Sequence, residues 1–185
     1  MVRNNGFMIS SIHLPKKTMG KKNLFNRSAL EKLKELAEGI DITMMGTDLT
    51  AKPPHSVPMS TKEVDDDGSI WFLSNKNSVH NSHLKADNNT QLVYSKPSAM
   101  EFLTVYGEAR ITTDRKILER YYGKADDAWF KGIDDPNLTA IQVVPQDIRY
   151  WDTKNGKIVS LIKMGIGAVT GKTQDLGEEG SLHID

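Results

Sequence analysis

A chain of 185 residues with 24 Lys plus Arg and 24 Asp plus Glu has a formal net charge of zero, so no overall positive charge favours a nucleic-acid partner. Its length suits one domain, and no apolar run approaches the roughly 20 residues of a membrane-spanning helix. The absence of cysteine excludes disulfides, thiolate catalysis and cysteine-ligated metals. We therefore expect one domain with neither a membrane nor a nucleic-acid partner, in a cytoplasmic location.

The two ends of the chain differ in composition from the region between them. Residues 1–22 carry five Lys or Arg and no acid, which predicts a flexible basic arm. We expect the natural start at Met1, Met8 or Met19, and the composition does not choose among them. Residues 174–185 carry four acids and no Lys or Arg, which predicts a solvated acidic tail. The folded domain is expected over residues 23–173.

Helical patterns are few. Ser28 and Glu31 have the spacing of a capping box, and leucines recur at helical spacing from Leu30 to Leu36 before Gly39. The sequence therefore predicts one helix that begins after Ser28. Two shorter helical patterns cover residues 79–84 and 115–129.

Eight short runs of alternating or β-branched residues predict strands. They cover residues 40–47, 57–64, 69–74, 91–95, 100–111, 140–144, 148–151 and 157–163. Turn sequences at 65–68 and 153–156 predict antiparallel hairpins. Because helices do not alternate with strands, the pattern predicts a mainly β, α+β fold built on an antiparallel barrel of about six or seven strands.

Two motifs that suggest chemistry do not complete a site. The segment 165–173 ends like a phosphate-binding P-loop, but Ile166 stands where the first glycine is needed, so we expect a flexible connection. His80 and His83 lie one helical turn apart, which suits a metal pair, but two ligands make no site and Asn81 replaces the glutamate of a zincin. We expect surface histidines, no metal site and no assignable catalytic residue.

The segment 74–80 combines hydroxyls, a lysine and a predicted helix start. Hydroxyls, a cation and free helix N-terminal N–H groups are the groups that bind a phosphate. A polar loop with an N-cap is the simpler alternative. The residues alone leave both readings open.

After the predicted first helix, a series of short segments follows in a set order along the chain. The segments are 58–61 (PMST), 64–68 (VDDDG), 70–72 (IWF), 94–98 (YSKPS), 105–107 (VYG), 128–130 (AWF), 134–136 (DDP), 150–152 (YWD) and 163–172 (KMGIGAVTGK). In this order the helix and the segments resemble the general stress protein branch of the pyridoxamine 5'-phosphate oxidase-like flavoproteins, and the resemblance covers about residues 22–173.

This resemblance implies an antiparallel split β-barrel of the FMN-binding type that forms a homodimer with two FMN sites at the subunit interface. Residues 58–61 would lie along the flavin ring, Lys62 and Ser74 would contact the phosphate or ribityl chain, and Glu101 and Trp151 would approach from the partner subunit. The implied cofactor-binding set is Pro58, Met59, Ser60, Thr61, Lys62, Leu73, Ser74, Ser78, His80, Glu101 and Trp151.

The sequence departs from the family pattern where positive charge is usual. Val57 stands in place of an arginine and His80 in place of a lysine, and Val79 matches an arginine of the oxidases themselves. Each charged contact to a phosphate contributes roughly 1.5 to 3 kcal/mol. The departures predict weaker FMN binding, with an affinity that rises as pH falls if His80 becomes protonated beside the phosphate.

Three functions follow from the resemblance. The first is an FMN-dependent redox protein of the stress response, a flavin oxidoreductase of undefined substrate and electron donor. The second is a non-enzymatic protein that binds a flavin, a deazaflavin or haem, and the third is a structural dimer without a cofactor. Oxidation of pyridoxamine phosphate itself is not expected, because no basic site for a substrate phosphate can be assigned.

Overall fold

The computed structural model describes residues 20–21, 24–152 and 178–184. The helices are α1 (Asn26–Ile40), α2 (Val79–Ala86) and α3 (Arg115–Tyr121), followed by a 3₁₀ helix at Lys124–Ala128. The strands are β1 (Gly20–Lys21), β2 (Leu24–Phe25), β3 (Ile42–Thr47), β4 (His55–Ser60), β5 (Glu63–Val64), β6 (Ile70–Asn75), β7 (Asn89–Lys96), β8 (Glu101–Thr112), β9 (Leu138–Asp152) and β10 (Glu178–His183). The predicted turn 153–156, the predicted strand 157–163, the segment 165–173 and most of the basic arm lie outside the described residues.

The strands form one curled, mainly antiparallel sheet. Its main path runs β10–β9–β8–β7–β3–β4, while β6 pairs with the first half of β9 and β5 pairs with β6. Only Thr61 and Lys62 separate β4 from β5, so the two ends of the sheet are adjacent. The predicted antiparallel split barrel is therefore confirmed, as is the hairpin at residues 65–68.

The core lies inside this curl. α1 buries one face against the strands because its apolar residues recur at helical spacing, and the largest side chains beneath it are Phe72, Tyr94 and Tyr150. A smaller cluster lies under α3, where Trp71 stacks on Tyr121 with ring centroids 5.1 Å apart. Together these two clusters fix both faces of β6, the strand that leads to the predicted phosphate loop.

Several element boundaries differ from the sequence prediction. α1 begins at Asn26, so Ser28 lies inside its first turn and the predicted capping box is wrong. The pattern 115–129 is divided because α3 ends at Tyr121 and Gly123 caps a separate 3₁₀ helix. The two predicted strands 140–144 and 148–151 are one strand, since β9 continues through Pro145 with a shift in register rather than a break.

The acidic end also differs from its prediction. Residues 178–183 form β10, which pairs antiparallel with β9, and Leu182 is buried opposite Ile148. β1 and β2 pair parallel with β10, so Lys21 of the predicted arm belongs to the sheet as well. Among the described residues, no helix has the length and hydropathy needed to cross a membrane.

Gly107 provides a test of this sheet. It lies where β8 and β9 shift register, and a Cβ added there would overlap the carbonyl oxygen of Val144 and lie 3.1 Å from Pro145 Cα. Because both neighbours are backbone, Gly107→Ala has to displace the ladder, and we expect it to lower the free energy of unfolding by about 2 kcal/mol in urea denaturation. Gly39→Ala is the control: no atom lies within 4 Å of its added Cβ, and the helical site favours alanine by up to about 1 kcal/mol. Equal effects of the two substitutions would contradict the close approach at Gly107.

Candidate functional site

The predicted phosphate loop joins the end of β6 to the start of α2. Ser78 is the N-cap of α2, and its hydroxyl accepts a hydrogen bond from Asn81 N at 3.2 Å. Ser74 is buried near the end of β6, with its hydroxyl 3.5 Å from that of Ser78. The structure therefore brings both predicted serines together at the first turn of a helix.

His80 turns inward from that turn and joins the two serines. Its Nε2 lies 2.6 Å from Ser74 Oγ and 3.0 Å from Ser78 Oγ. Ser74 donates its only hydroxyl proton to Asn81 Oδ1 at 3.1 Å. His80 Nε2 must then carry a proton and donate it to Ser74, because the serine has no second proton to give.

Asn81 and Thr139 close this network into a ring. Asn81 Nδ2 donates to Thr139 Oγ1 at 3.0 Å, and Thr139 Oγ1 donates to the carbonyl oxygen of Ser74 at 2.8 Å. Asn81, Thr139 and Ser74 are all buried. Ser74 thus has no hydroxyl proton left for a ligand in this arrangement, and its role as a direct cofactor contact stays a prediction.

The surroundings of His80 keep its ring neutral at neutral pH. Burial lowers the pKa of His80 below its usual value of 6.5, and the nearby His55 and His83 lower that pKa further. A neutral imidazole does not replace the lysine charge that is usual at this position. A phosphate dianion at the same turn would oppose the shift, because it favours the imidazolium.

His83 has partners other than His80. Its ring packs edge-on against His55 of β4, with centroids 5.3 Å apart, and Thr47 Oγ1 lies 3.2 Å from Nδ1 of His83 and 3.4 Å from Nδ1 of His55. These contacts hold α2 beside the edge strand β4. In the part of the chain that the structure describes, no group of three or more His, Cys, Asp or Glu could hold a metal ion.

The first turn of α2 presents donors suited to an anion. The N–H groups of Val79 and His80 have no acceptor within the helix. Ser78 accepts a hydrogen bond from Asn81 N, and its Oγ lies 3.0 Å from His80 Nε2, which carries a proton and cannot accept one. The hydroxyl proton of Ser78 can therefore point toward a ligand. Two N–H groups and one hydroxyl fit a phosphate monoester in their hydrogen bonding. What this donor set lacks is permanent positive charge.

Residues 58–62 cover the end of β4 and the two residues after it, and some of their side chains point into the barrel. Met59 is buried in the core, whereas Pro58 and Ser60 are exposed. The hydroxyls of Thr61 and the buried Tyr94 lie 2.9 Å apart. Side chains therefore alternate between the core and the surface, and the backbone of β4 remains the part that a flat ligand could follow.

Lys62 is already paired within the chain. Its Nζ lies 2.6 and 2.8 Å from the two carboxylate oxygens of Asp126, and the two side chains are 20% and 11% exposed. Val57, where an arginine is usual, packs against the core. The positions expected to supply charge are therefore apolar at Val57, neutral at His80 and compensated at Lys62.

The remaining predicted residues lie elsewhere. Leu73 packs with the Trp71 cluster, on the face of β6 opposite Ser74, so only its backbone is near the loop. Thr139 pairs with Ser74, whereas Trp151 pairs with Phe102 twelve residues further along β9, a distance of about 40 Å along the strand.

Glu101 begins β8 beside Phe102, at the same end of the sheet as Trp151. There it lies near Lys96, with 3.8 Å between Nζ and Oε2. Glu101 and Trp151 are thus placed together, and both are remote from the serine cluster of the same chain.

Three residues of the site are absent from the predicted cofactor-binding set. Asn81 and Thr139 complete the ring around Ser74, and Asp126 pairs with Lys62. Asn81 had a weak signal, because a polar residue directly after a predicted N-terminal turn often bonds to the cap. Asp126 had none, since 64 residues separate it from Lys62.

Known proteins share this arrangement of strands. A sequence model of the family described as "Pyridoxamine 5'-phosphate oxidase like" matches residues 28–175. General stress protein 26 of Bacillus subtilis (strain 168) is 32% identical over 60 residues, which are 32% of this chain and 43% of that protein. The aligned stretch thus spans less than half of this relative.

Two solved structures extend the likeness over the barrel. A general stress protein 26 from Jannaschia sp. CCS1 superposes with a TM-score of 0.70 at 24% identity, over 84% of this chain and 97% of that one. The general stress FMN/FAD binding protein from Xanthomonas citri superposes with a TM-score of 0.59 at 23% identity, over 69% of this chain and 90% of that one. At these identities the superpositions show a common fold. Because the family match covers most of the sequence, this chain belongs to the pyridoxamine 5'-phosphate oxidase-like family, and it has the split-barrel fold of the general stress proteins.

Proposed function

We propose that this chain binds FMN, with the phosphate at the first turn of α2 and the ring along residues 58–62, and that two copies complete two such sites. Its role is that of a flavin-dependent redox protein of the general stress type, whose substrate and electron donor are undefined. The observation that carries the proposal is the cluster of Ser74, Ser78 and His80 at an open helix N-terminus. The cytoplasmic location expected from composition stays a prediction.

The chain's own groups would bind and orient the cofactor. Ser78 and the N–H groups of Val79 and His80 would hold the phosphate. Among the described strands β4 pairs only with β3, so its other edge has backbone groups available to a planar heterocycle. The bound flavin would supply electron or hydride transfer, while the protein supplies position and electrostatics.

The affinity for FMN should rise as pH falls through the titration of His80 in the complex, because the pKa of His80 in the cofactor-free protein lies below its usual value. The empty site holds His80 with a lowered pKa, and a phosphate dianion favours the imidazolium, so binding takes up a proton. Binding that takes up a proton tightens as the proton concentration increases. Flavin fluorescence titration of cofactor-free protein at neutral pH and at lower pH measures this change.

Two His80 variants and one ligand serve as controls. His80→Lys should tighten FMN about tenfold at neutral pH, equal to roughly 1.4 kcal/mol, and remove the gain in affinity at lower pH. His80→Gln should also remove that gain. The only remaining pH dependence of FMN affinity in this variant should come from the titration of the FMN phosphate itself, near pH 6. Riboflavin lacks the phosphate and should show no gain. Identical pH profiles for wild type and His80→Gln would contradict the placement of the phosphate.

The pair between Lys62 and Asp126 gives a second test. If Lys62 contacts the cofactor, it has to give up Asp126 when FMN binds. Asp126→Asn should therefore tighten FMN several-fold, while the loss of charged hydrogen bonds lowers the free energy of unfolding by about 1.5 to 3 kcal/mol. Asp127→Asn is the matched control, because Asp127 bonds to Tyr122 instead. Equal FMN affinities for the two variants would place Lys62 outside the cofactor site.

The outer face of the sheet supports a second copy as the missing partner. Ile42, Met44 and Val93 are 49%, 43% and 43% exposed, and Met44 pairs across strands with both Val93 and Pro58. Contiguous exposed apolar side chains of this kind mark interaction surfaces. The separation of Trp151 from the serine cluster supports a second chain as the partner that would complete the site.

Met44→Glu combined with Val93→Glu should convert the protein from dimer to monomer at micromolar concentration, because each dimer would bury four new charges. Light scattering after size exclusion measures the mass, and FMN affinity should fall with the loss of the dimer. Trp129→Glu is the control: Trp129 is 83% exposed, but it follows the 3₁₀ helix and belongs to none of the strands β3, β4 and β7. A wild-type protein that elutes as a monomer would contradict the proposed interface.

A structural dimer without a cofactor is the second candidate. It is favoured by the charge state of the site, in which Val57 is apolar, His80 is neutral and Lys62 is compensated by Asp126. Flavin retained through purification would support the first candidate. An intact dimer that fails to bind FMN would support the second, and turnover with a reduced nicotinamide would distinguish an enzyme from a flavin-binding protein.

A further inference from the structure

A cavity of about 440 Å³ lies between α2 and the end of β8. Its lining includes Lys76, Lys85, Leu84 and Ile111, together with three threonines. None of these residues belongs to the cofactor-binding set. The volume lies within the range of small-molecule pockets.

The charge of this cavity is one-sided. Lys76 and Lys85 are exposed, neither forms an ion pair in the described part of the chain, and no carboxylate lines the cavity. The nearest acids along the chain, Asp87 and Asp114, are outside the lining, where Asp87 accepts from Asn89 and Asp114 caps α3. Two ammonium groups that share a cavity repel each other, and a dianion between them would relieve that repulsion.

The other residues that line the cavity indicate which class of ligand it could bind. Thr112 Oγ1 accepts a hydrogen bond from Asp114 N, which leaves the hydroxyl proton of Thr112 available to an oxyanion. Leu84 and Ile111 supply apolar surface next to these polar groups. We propose that this cavity is a second binding site, for the phosphate monoester of a small organic molecule, with Lys76 and Lys85 on the phosphate and Leu84 and Ile111 beside the organic group.

The experiment is a ¹H–¹⁵N NMR titration of the full, cofactor-free chain with phenyl phosphate and, separately, with inorganic phosphate. We expect saturable shifts at the amides of Lys76, Thr112 and Thr113, with phenyl phosphate binding several-fold more tightly because it alone reaches the apolar wall. Equal affinities for the two probes would overturn the assignment to an organic monoester.

Paired variants test the charge requirement. Lys76→Gln with Lys85→Gln should weaken phenyl phosphate at least tenfold, whereas Lys124→Gln with Lys131→Gln, which removes the same charge elsewhere, should leave binding unchanged. Equal weakening by both pairs would show general charge attraction and overturn the proposal. Shifts confined to Ser78 and Val79 would place the ligand in the cofactor site, and they would overturn the proposal while leaving the FMN hypothesis intact.

Discussion

The buried hydroxyl of Ser74 is the contact on which the arrangement of the site depends. It accepts from His80 and donates to Asn81, while the Ser74 carbonyl accepts from Thr139. One residue of β6 thereby fixes the start of α2 and the adjacent part of β9. A buried polar group left without a partner costs about 1 to 3 kcal/mol, so the ring holds the first-turn N–H groups of α2 in one direction.

The same network explains why the site has little positive charge when empty. A cation buried among hydroxyls without a carboxylate would be costly, and His80 avoids that cost because its lowered pKa leaves it neutral. Lys62 keeps its charge but has Asp126 as a counterion. Positive charge for an anionic ligand would then become available only on binding, through proton uptake at His80 or release of Lys62 from Asp126. The affinity for that ligand would therefore depend on pH and on competition from the Asp126 carboxylate.

The sequence predicts the barrel well because alternation and turn residues are local signals, and each strand between β3 and β9 contains them. The sequence prediction fails where a neighbouring strand determines the secondary structure. Residues 178–183 are acidic but become β10 because β9 offers a free edge, and Pro145 does not end β9 because the register shift accommodates it. Of the site residues that the resemblance implies, Ser74, Ser78 and His80 lie together. The pairing of Lys62 with Asp126 depends on the path of the chain around α3, which no local pattern predicts.

α2 connects the two proposed anion sites. Its first turn forms the candidate phosphate site, and its last turn carries Leu84 and Lys85 into the lysine-lined cavity. Thr139 belongs to both, as a wall of that cavity and as a member of the ring around Ser74. Since every donor of the ring is used, a displacement of Thr139 must move Asn81 or Ser74 or leave a buried group unpaired. A ligand that displaced Thr139 would therefore alter affinity at the first turn of α2, and by linkage a ligand at that turn would alter affinity in the cavity by the same factor.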